Sequence, residues 1–191
     1  MADVMNVHRK KIHPHKFTLW VGIGSIIMMF AGLTSAFIVK RSQPNWAMLR
    51  IPPIFWVSTL VILASSATIY LALKAFRERK MDRYRSMLTW TAVLGTTFLV
   101  LQIIGFTQYR AMDIRLVGAG SNASFSFVLA IAGLHGLHVL GGVIALIVIA
   151  VRANSSKRRN YSSVPVEVAA TYWHFVDILW IYLILFFNWM K

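Results

Sequence analysis

Hydrophobic positions in this chain do not alternate with polar ones but run together in long blocks. Five stretches go about 20 residues or more with no Lys, Arg, Asp or Glu, enough to span a bilayer core as a helix. They are Phe17–Val39, Ile51–Leu73, Ser86–Tyr109, Leu116–Val151 and, apart from Asp177, Val168–Met190. A helix satisfies its own backbone groups in lipid, which an open strand cannot do. The pattern predicts an all-α, polytopic membrane protein with helices over about 17–39, 54–76, 87–109, 125–151 and 168–190. Residues 1–16 form a polar tail, and the 191 residues make a single membrane domain with almost no chain left over for an extramembrane one. The first apolar run is too long for a signal-peptide core and has no small-residue cleavage site, so it is expected to be retained as a helix.

The polar residues between these runs carry an orientation signal. Arg9, Lys10, Lys11 and Lys16 precede the first run, Lys74, Arg77, Arg79, Lys80, Arg83 and Arg85 cluster between the second and third, and Arg152, Lys157, Arg158 and Arg159 follow the fourth. Only Lys40, Arg41, Arg50, Arg110, Arg115 and Lys191 fall on the other side. The positive-inside bias then predicts a cytoplasmic N-terminus and an external C-terminus. A net charge of +14 distributed this way points to topology and anionic headgroups rather than to nucleic acid. Cysteine is absent from the sequence, which excludes a disulfide framework, an iron–sulfur cluster or a thiolate copper site within it.

Two polar knots interrupt the apolar runs. The last run holds Tyr172-Trp173-His174-Phe175-Val176-Asp177. His174 and Asp177 are three residues apart and share a helix face, which Glu167 extends to the helix entrance. Ionisable groups at this depth are costly and normally face a protein interior. The fourth run holds Gly133-Leu134-His135-Gly136-Leu137-His138, then Gly141-Gly142. Two histidines at this spacing can ligate a metal, with Glu167, His174 or Asp177 completing the site across the bundle. The alternative is neutral imidazoles hydrogen-bonded to neighbouring helices, favoured because no third ligand lies beside them in sequence. His135 or His138 is then the expected partner of Asp177.

Lesser signals fill out the frame. Gly22, Ser25, Gly32 and Ala36 form a small-residue stripe suited to close helix contact in lipid. Gly22-Ile23-Gly24 has no preceding strand and makes no phosphate loop. Thr89, Thr91, Thr96, Thr97 and Gln102 give the third helix a modest polar face. Trp46, Trp56, Tyr84 and Trp90 suit a membrane interface. The tail histidines His8, His13 and His15 fit a mobile end better than a metal site, and the sequon at Asn122 carries little weight.

Taken together, the G-x-H-G-x-H run at 133–138, Glu167 and the Tyr172–Trp180 run resemble subunit III of the haem–copper oxidases, most closely that of cytochrome c oxidases. Leu94-Gly95 and Leu101-Gln102 also fit. The resemblance covers residue 17 to the end and implies the short five-helix form. It implies a non-catalytic subunit of a terminal oxidase, supporting stability and proton uptake while the complex passes electrons from cytochrome c to oxygen. Haem and copper would lie in partner subunits I and II, with no cofactor here beyond bound phospholipid, in a bacterial inner membrane. The structural polar cluster would be His135, His138, Glu167, His174 and Asp177. Arg152 matches a family arginine that contacts a phospholipid headgroup, and Trp173 is expected to share the lipid contact. Two departures matter: Ile26 and Gly105 stand where the family usually has glutamates, so no role of those carboxylates carries over. Quinol oxidase and nitric oxide reductase complexes use similar subunits. A small transporter or proton channel would use Glu167, His174 and Asp177 as its relay, but the chain has no inverted repeat.

Overall fold

The computed structural model describes residues 14–42, 46, 51–111, 123–155 and 163–190. The tail histidines His8 and His13, the sequon at Asn122 and the Lys157-Arg158-Arg159 cluster lie outside the described residues, as does the side chain of His15. Five helices follow in order: α1 (Pro14–Arg41), α2 (Ile54–Arg77), α3 (Met81–Ala111), α4 (Ala123–Ser155) and α5 (Val164–Trp189). Each is long and apolar enough to cross a membrane, and the architecture is all-α. The helices outrun their apolar stretches. α3 starts at Met81 rather than near residue 87 and covers 31 residues, about 46 Å against a hydrocarbon core of about 30 Å. Charged residues can occupy its first turns because their side chains reach the interface while the backbone stays helical.

Local chemistry sets the ends. Pro53 caps the start of α2 with φ −57°, the angle its ring imposes. α2 stops where Arg79 adopts φ 61°. The Lys80 N–H then donates to Ala75 O at 3.0 Å and the Arg79 N–H to Phe76 O at 3.1 Å. This is the paired closure that usually places glycine at the left-handed position. α5 has a proline in its first turn, where a missing N–H costs nothing.

α2 and α3 form the most extensive pair, α5 packs on α2 and α4, and α1 touches only α4 and α5 among the described residues. The core is rich in aromatics, including Phe30, Phe37, Phe98, Tyr109, Trp173 and Trp180. Phe37 receives Trp46 edge-on at 4.8 Å. Lys16 Nζ meets Glu167 Oε2 at 2.7 Å, while at the other end Arg41 Nη1 reaches Met190 Sδ at 3.4 Å. The start of α1, the α2–α3 turn, the end of α4 and the start of α5 therefore share one basic end.

Two expectations about surfaces are corrected. The Gly22, Ser25, Gly32 and Ala36 stripe faces outward, and a Cβ at Gly22 or Gly32 would meet nothing within 4 Å. α1 instead docks through another side, with Ile23, Phe30, Thr34 and Phe37 as its buried residues. Tyr84 is buried, with its ring 5.1 Å from that of Phe76, so it closes the α2–α3 turn from inside. Trp90 and Trp56 remain exposed.

Candidate functional site

The polar stripe of α5 is divided between two neighbours, α1 and α2. Glu167, in the first turn, binds Lys16 of α1, which also suits the positive end of the helix dipole. His174, two turns further on, has its Nδ1 2.6 Å from the Ser66 hydroxyl of α2. Asp177 is only 2% exposed. Ser66 interacts with it, yet neither carboxylate oxygen reaches a partner at hydrogen-bonding geometry among the described residues. The expected bond from His135 or His138 is not formed.

The reason lies in the rings around α4. His135 is fully buried and stacks on Trp180 at 5.3 Å, with an interplanar angle of 25°. Phe30 and Phe98 present their edges at 6.4 and 6.1 Å. Both its ring nitrogens lack partners among the described residues. His138 turns back on its own helix, with Nδ1 2.7 Å from Leu134 O. The carbonyl can only accept, so Nδ1 carries the proton and Nε2 is left as the acceptor. The Tyr172 hydroxyl donates to His138 O at 3.0 Å, joining α5 to α4 through backbone rather than imidazole.

Trp173 corrects the lipid assignment most sharply. It has 0% exposure, and its indole N–H donates to the Ser65 hydroxyl at 2.9 Å. A Cβ at Gly95 would stand 2.6 Å from its ring, and one at Gly142 would stand 3.0 Å from it. Two glycines on α3 and α4 thus make the slot that admits the indole, which leaves Trp173 no path to lipid. Gly133, Gly136 and Gly141 have no such neighbour among the described residues.

The residues that sequence reasoning missed lie on α2. Ser58 accepts from Gln102 at 3.1 Å, Thr59 accepts from the Trp180 indole N–H at 3.0 Å, and Ser65 accepts from Trp173. Ser66 meets His174, and the Thr68 hydroxyl lies 2.9 Å from that of Thr91. The signal was present: positions 58, 59, 65 and 66 repeat at seven residues, two turns, and so share a face. Thr91 and Gln102 of the polar face on α3 do bond across helices, whereas among the described residues Thr89, Thr96 and Thr97 bond only their own backbone.

Arg152 is exposed at the basic end of α4. A groove of about 820 Å³ runs between α3 and α4, lined by residues between Thr89 and Val100 and between Ile147 and Ser155, with Arg152 itself outside the lining. Gly105 is buried against Phe55 and Ile54, where a Cβ would stand 2.8 Å from the Phe55 ring. The packing there has no room for a glutamate. Ile26 packs against the core edge.

A metal does not fit these residues. No group of three or more His, Cys, Asp or Glu converges among the described residues. His135 is enclosed by aromatic rings, and Nδ1 of His138 is spent on a carbonyl.

Comparison with known proteins agrees with the fold. The family model for cytochrome c oxidase subunit III matches residues 15–191. A cytochrome c oxidase subunit 3 from Alkalihalophilus pseudofirmus is 30% identical over 187 residues, covering 90% of this chain and 88% of the relative. A probable cytochrome c oxidase subunit 3 from Mycobacterium bovis is 33% identical over 170 residues, covering 84% and 80%. The Bacillus subtilis protein of the same name is 25% identical over 170 residues, covering 86% and 80%. With five membrane-spanning helices and relatives of this kind, the protein is a multi-pass protein of a bacterial inner membrane. The chain belongs to the cytochrome c oxidase subunit III family.

Proposed function

We propose that this chain is the non-catalytic helical subunit of a cytochrome c oxidase that frames the catalytic subunit, sustains its proton uptake and holds phospholipid at the shared surface. Subunits I and II would carry the haem and copper, and cytochrome c would supply the electrons. The observation that carries this reading is how the intramembrane polar groups are used. His138, His174, Tyr172, Trp173, Trp180 and the α2 hydroxyls are engaged in contacts that hold one helix to another or to itself. Side chains so committed fix geometry and are poorly placed to move protons or ligate ions.

The α3–α4 groove supports the lipid part. From Thr89 to Val100 the helix rises about 16 Å, close to half of a hydrocarbon core of about 30 Å. That is the depth of one acyl chain in one leaflet. Arg152 stands at the headgroup level, where its guanidinium can grip a phosphate bidentately. With the basic end inside, the lipid comes from the cytoplasmic leaflet. The test is Arg152→Ala in the purified oxidase. Fewer phospholipids per complex, with the subunit retained and initial turnover intact, support the reading. Unchanged lipid content would reduce Arg152 to an orientation signal.

A further inference from the structure

A second basic feature lies away from Arg152, at the turn between α2 and α3. Leu71, Lys74, Ala75, Glu78, Lys80 and Arg83 enclose a hollow of about 190 Å³. Its cations come from two helices and the turn between them, and the backbone holds them together. Arg79 at φ 61° folds the chain back, and the Lys80 N–H bond to Ala75 O brings Lys80 over the last turn of α2, near Lys74. The Tyr84 N–H bond to Lys80 O starts α3 at the same place. From the first turn of α3 the hollow takes Arg83, while Asp82 is not part of its lining.

The charges are not balanced within the site. Glu78 meets Lys80 at 2.8 Å, and Lys80 beside it holds the Glu78 carboxyl below the usual carboxylate range. The same carboxylate also feels Lys74 and Arg83, so one negative charge faces three cations on the hollow and the lining keeps a net positive charge. Leu71 and Ala75 supply an apolar floor, and α2 is membrane-spanning up to Arg77. The hollow thus sits where α2 leaves the membrane, with cations above and hydrocarbon below.

We propose that this hollow binds the phosphate of an anionic phospholipid, with the glycerol backbone passing over Leu71 and Ala75 and the acyl chains entering the bilayer beside α2. A free phosphate satisfies the cations but makes no use of the apolar floor, so the lipid is the better match. Topology alone needs basic residues on this side, but not their convergence from two helices on one enclosed volume. The site rests on the membrane-spanning reading and not on the identity of the larger complex.

The test uses the intact purified complex in nanodiscs of phosphatidylcholine doped with a photoactivatable phosphatidylglycerol. Labelling is read by mass spectrometry on the 71–83 segment. Lys74→Gln combined with Arg83→Gln should reduce that labelling about tenfold, while Arg152→Ala should leave it unchanged. The charge-keeping pair Lys74→Arg and Arg83→Lys should label like the wild type and controls for assembly. A photoactivatable phosphatidylcholine should label the segment weakly, and millimolar inorganic phosphate should not compete. Equal labelling of the Gln pair, equal labelling by phosphatidylcholine, or competition by inorganic phosphate would each overturn the proposal, the last by assigning the hollow to a soluble anion. The readout is on this chain alone, so it stands or falls separately from the role of the subunit in turnover.

Discussion

Trp173 and Asp177 stand one turn apart on α5 and meet burial in different ways. The indole has its single donor satisfied by Ser65 and its ring sheathed by Gly95 and Gly142. The carboxylate has no cation and no imidazole bonded to it among the described residues. Gly95→Ala places a methyl group where the ring lies, and overpacking of this kind costs about 1–3 kcal/mol. Thermal dissociation of the subunit from the purified complex should move to lower temperature. An unchanged midpoint would mean the slot is looser than the 2.6 Å approach implies. Asp177→Asn keeps the shape and the contact to Ser66 while removing no ion pair, so it should leave subunit retention and turnover per complex near wild type. A collapse of either would reveal a charge partner for Asp177. At Arg79, glycine relieves a left-handed backbone that costs an ordinary residue about 1 kcal/mol. Arg79→Gly should therefore raise the dissociation midpoint, and a fall would show that the arginine side chain contributes more than the strain removes.

Among elements, α2 is the one that binds the others. Its hydroxyls at 58, 59, 65, 66 and 68 reach α3 and α5, in a medium where packing and interhelical hydrogen bonds, not water, drive helices together. Such bonds average about 0.6 kcal/mol in membrane proteins. Ser65→Ala and Trp173→Phe, made singly and together, should show a coupling of about that size in a double-mutant cycle. Additive losses would mean the indole is held by shape alone. α2 also marks the limit of what the chain pattern reveals. The five apolar runs found the helices because lipid imposes length and polarity directly. The α2 hydroxyls went unnoticed because Ser and Thr are cheap in a helix and can bond their own carbonyls, so their partners are a property of packing. The same is true of Trp173, whose expected lipid contact gives way to a slot made by two distant glycines. The stripe Glu167, His174 and Asp177 was legible as one face. Its partners were not, because Phe30, Phe98 and Trp180 fill the space between His135 and its neighbours.

At the scale of the whole molecule, most of the described basic residues gather at one end of the bundle, with Lys40 and Arg41 at the other, and the apolar surface is left outside. Exposed Trp20, Met28, Leu60, Ile103 and Ile178 are ordinary where the solvent is hydrocarbon or a neighbouring subunit. Reporter fusions at Lys80 and Arg158 should both read cytoplasmic, and a periplasmic signal at either would invert the orientation drawn from the charge bias. As a non-catalytic subunit, this chain stands outside the electron chemistry of the oxidase. The most direct measurement is to purify the oxidase with and without this subunit, record its haem and copper spectra, and follow oxygen consumption through continuous turnover. Unchanged spectra and a comparable initial rate are expected, followed by faster loss of activity in the complex lacking the subunit. Loss of a haem or copper signal on removing the chain, or an initial rate of zero with the metals still in place, would contradict that expectation.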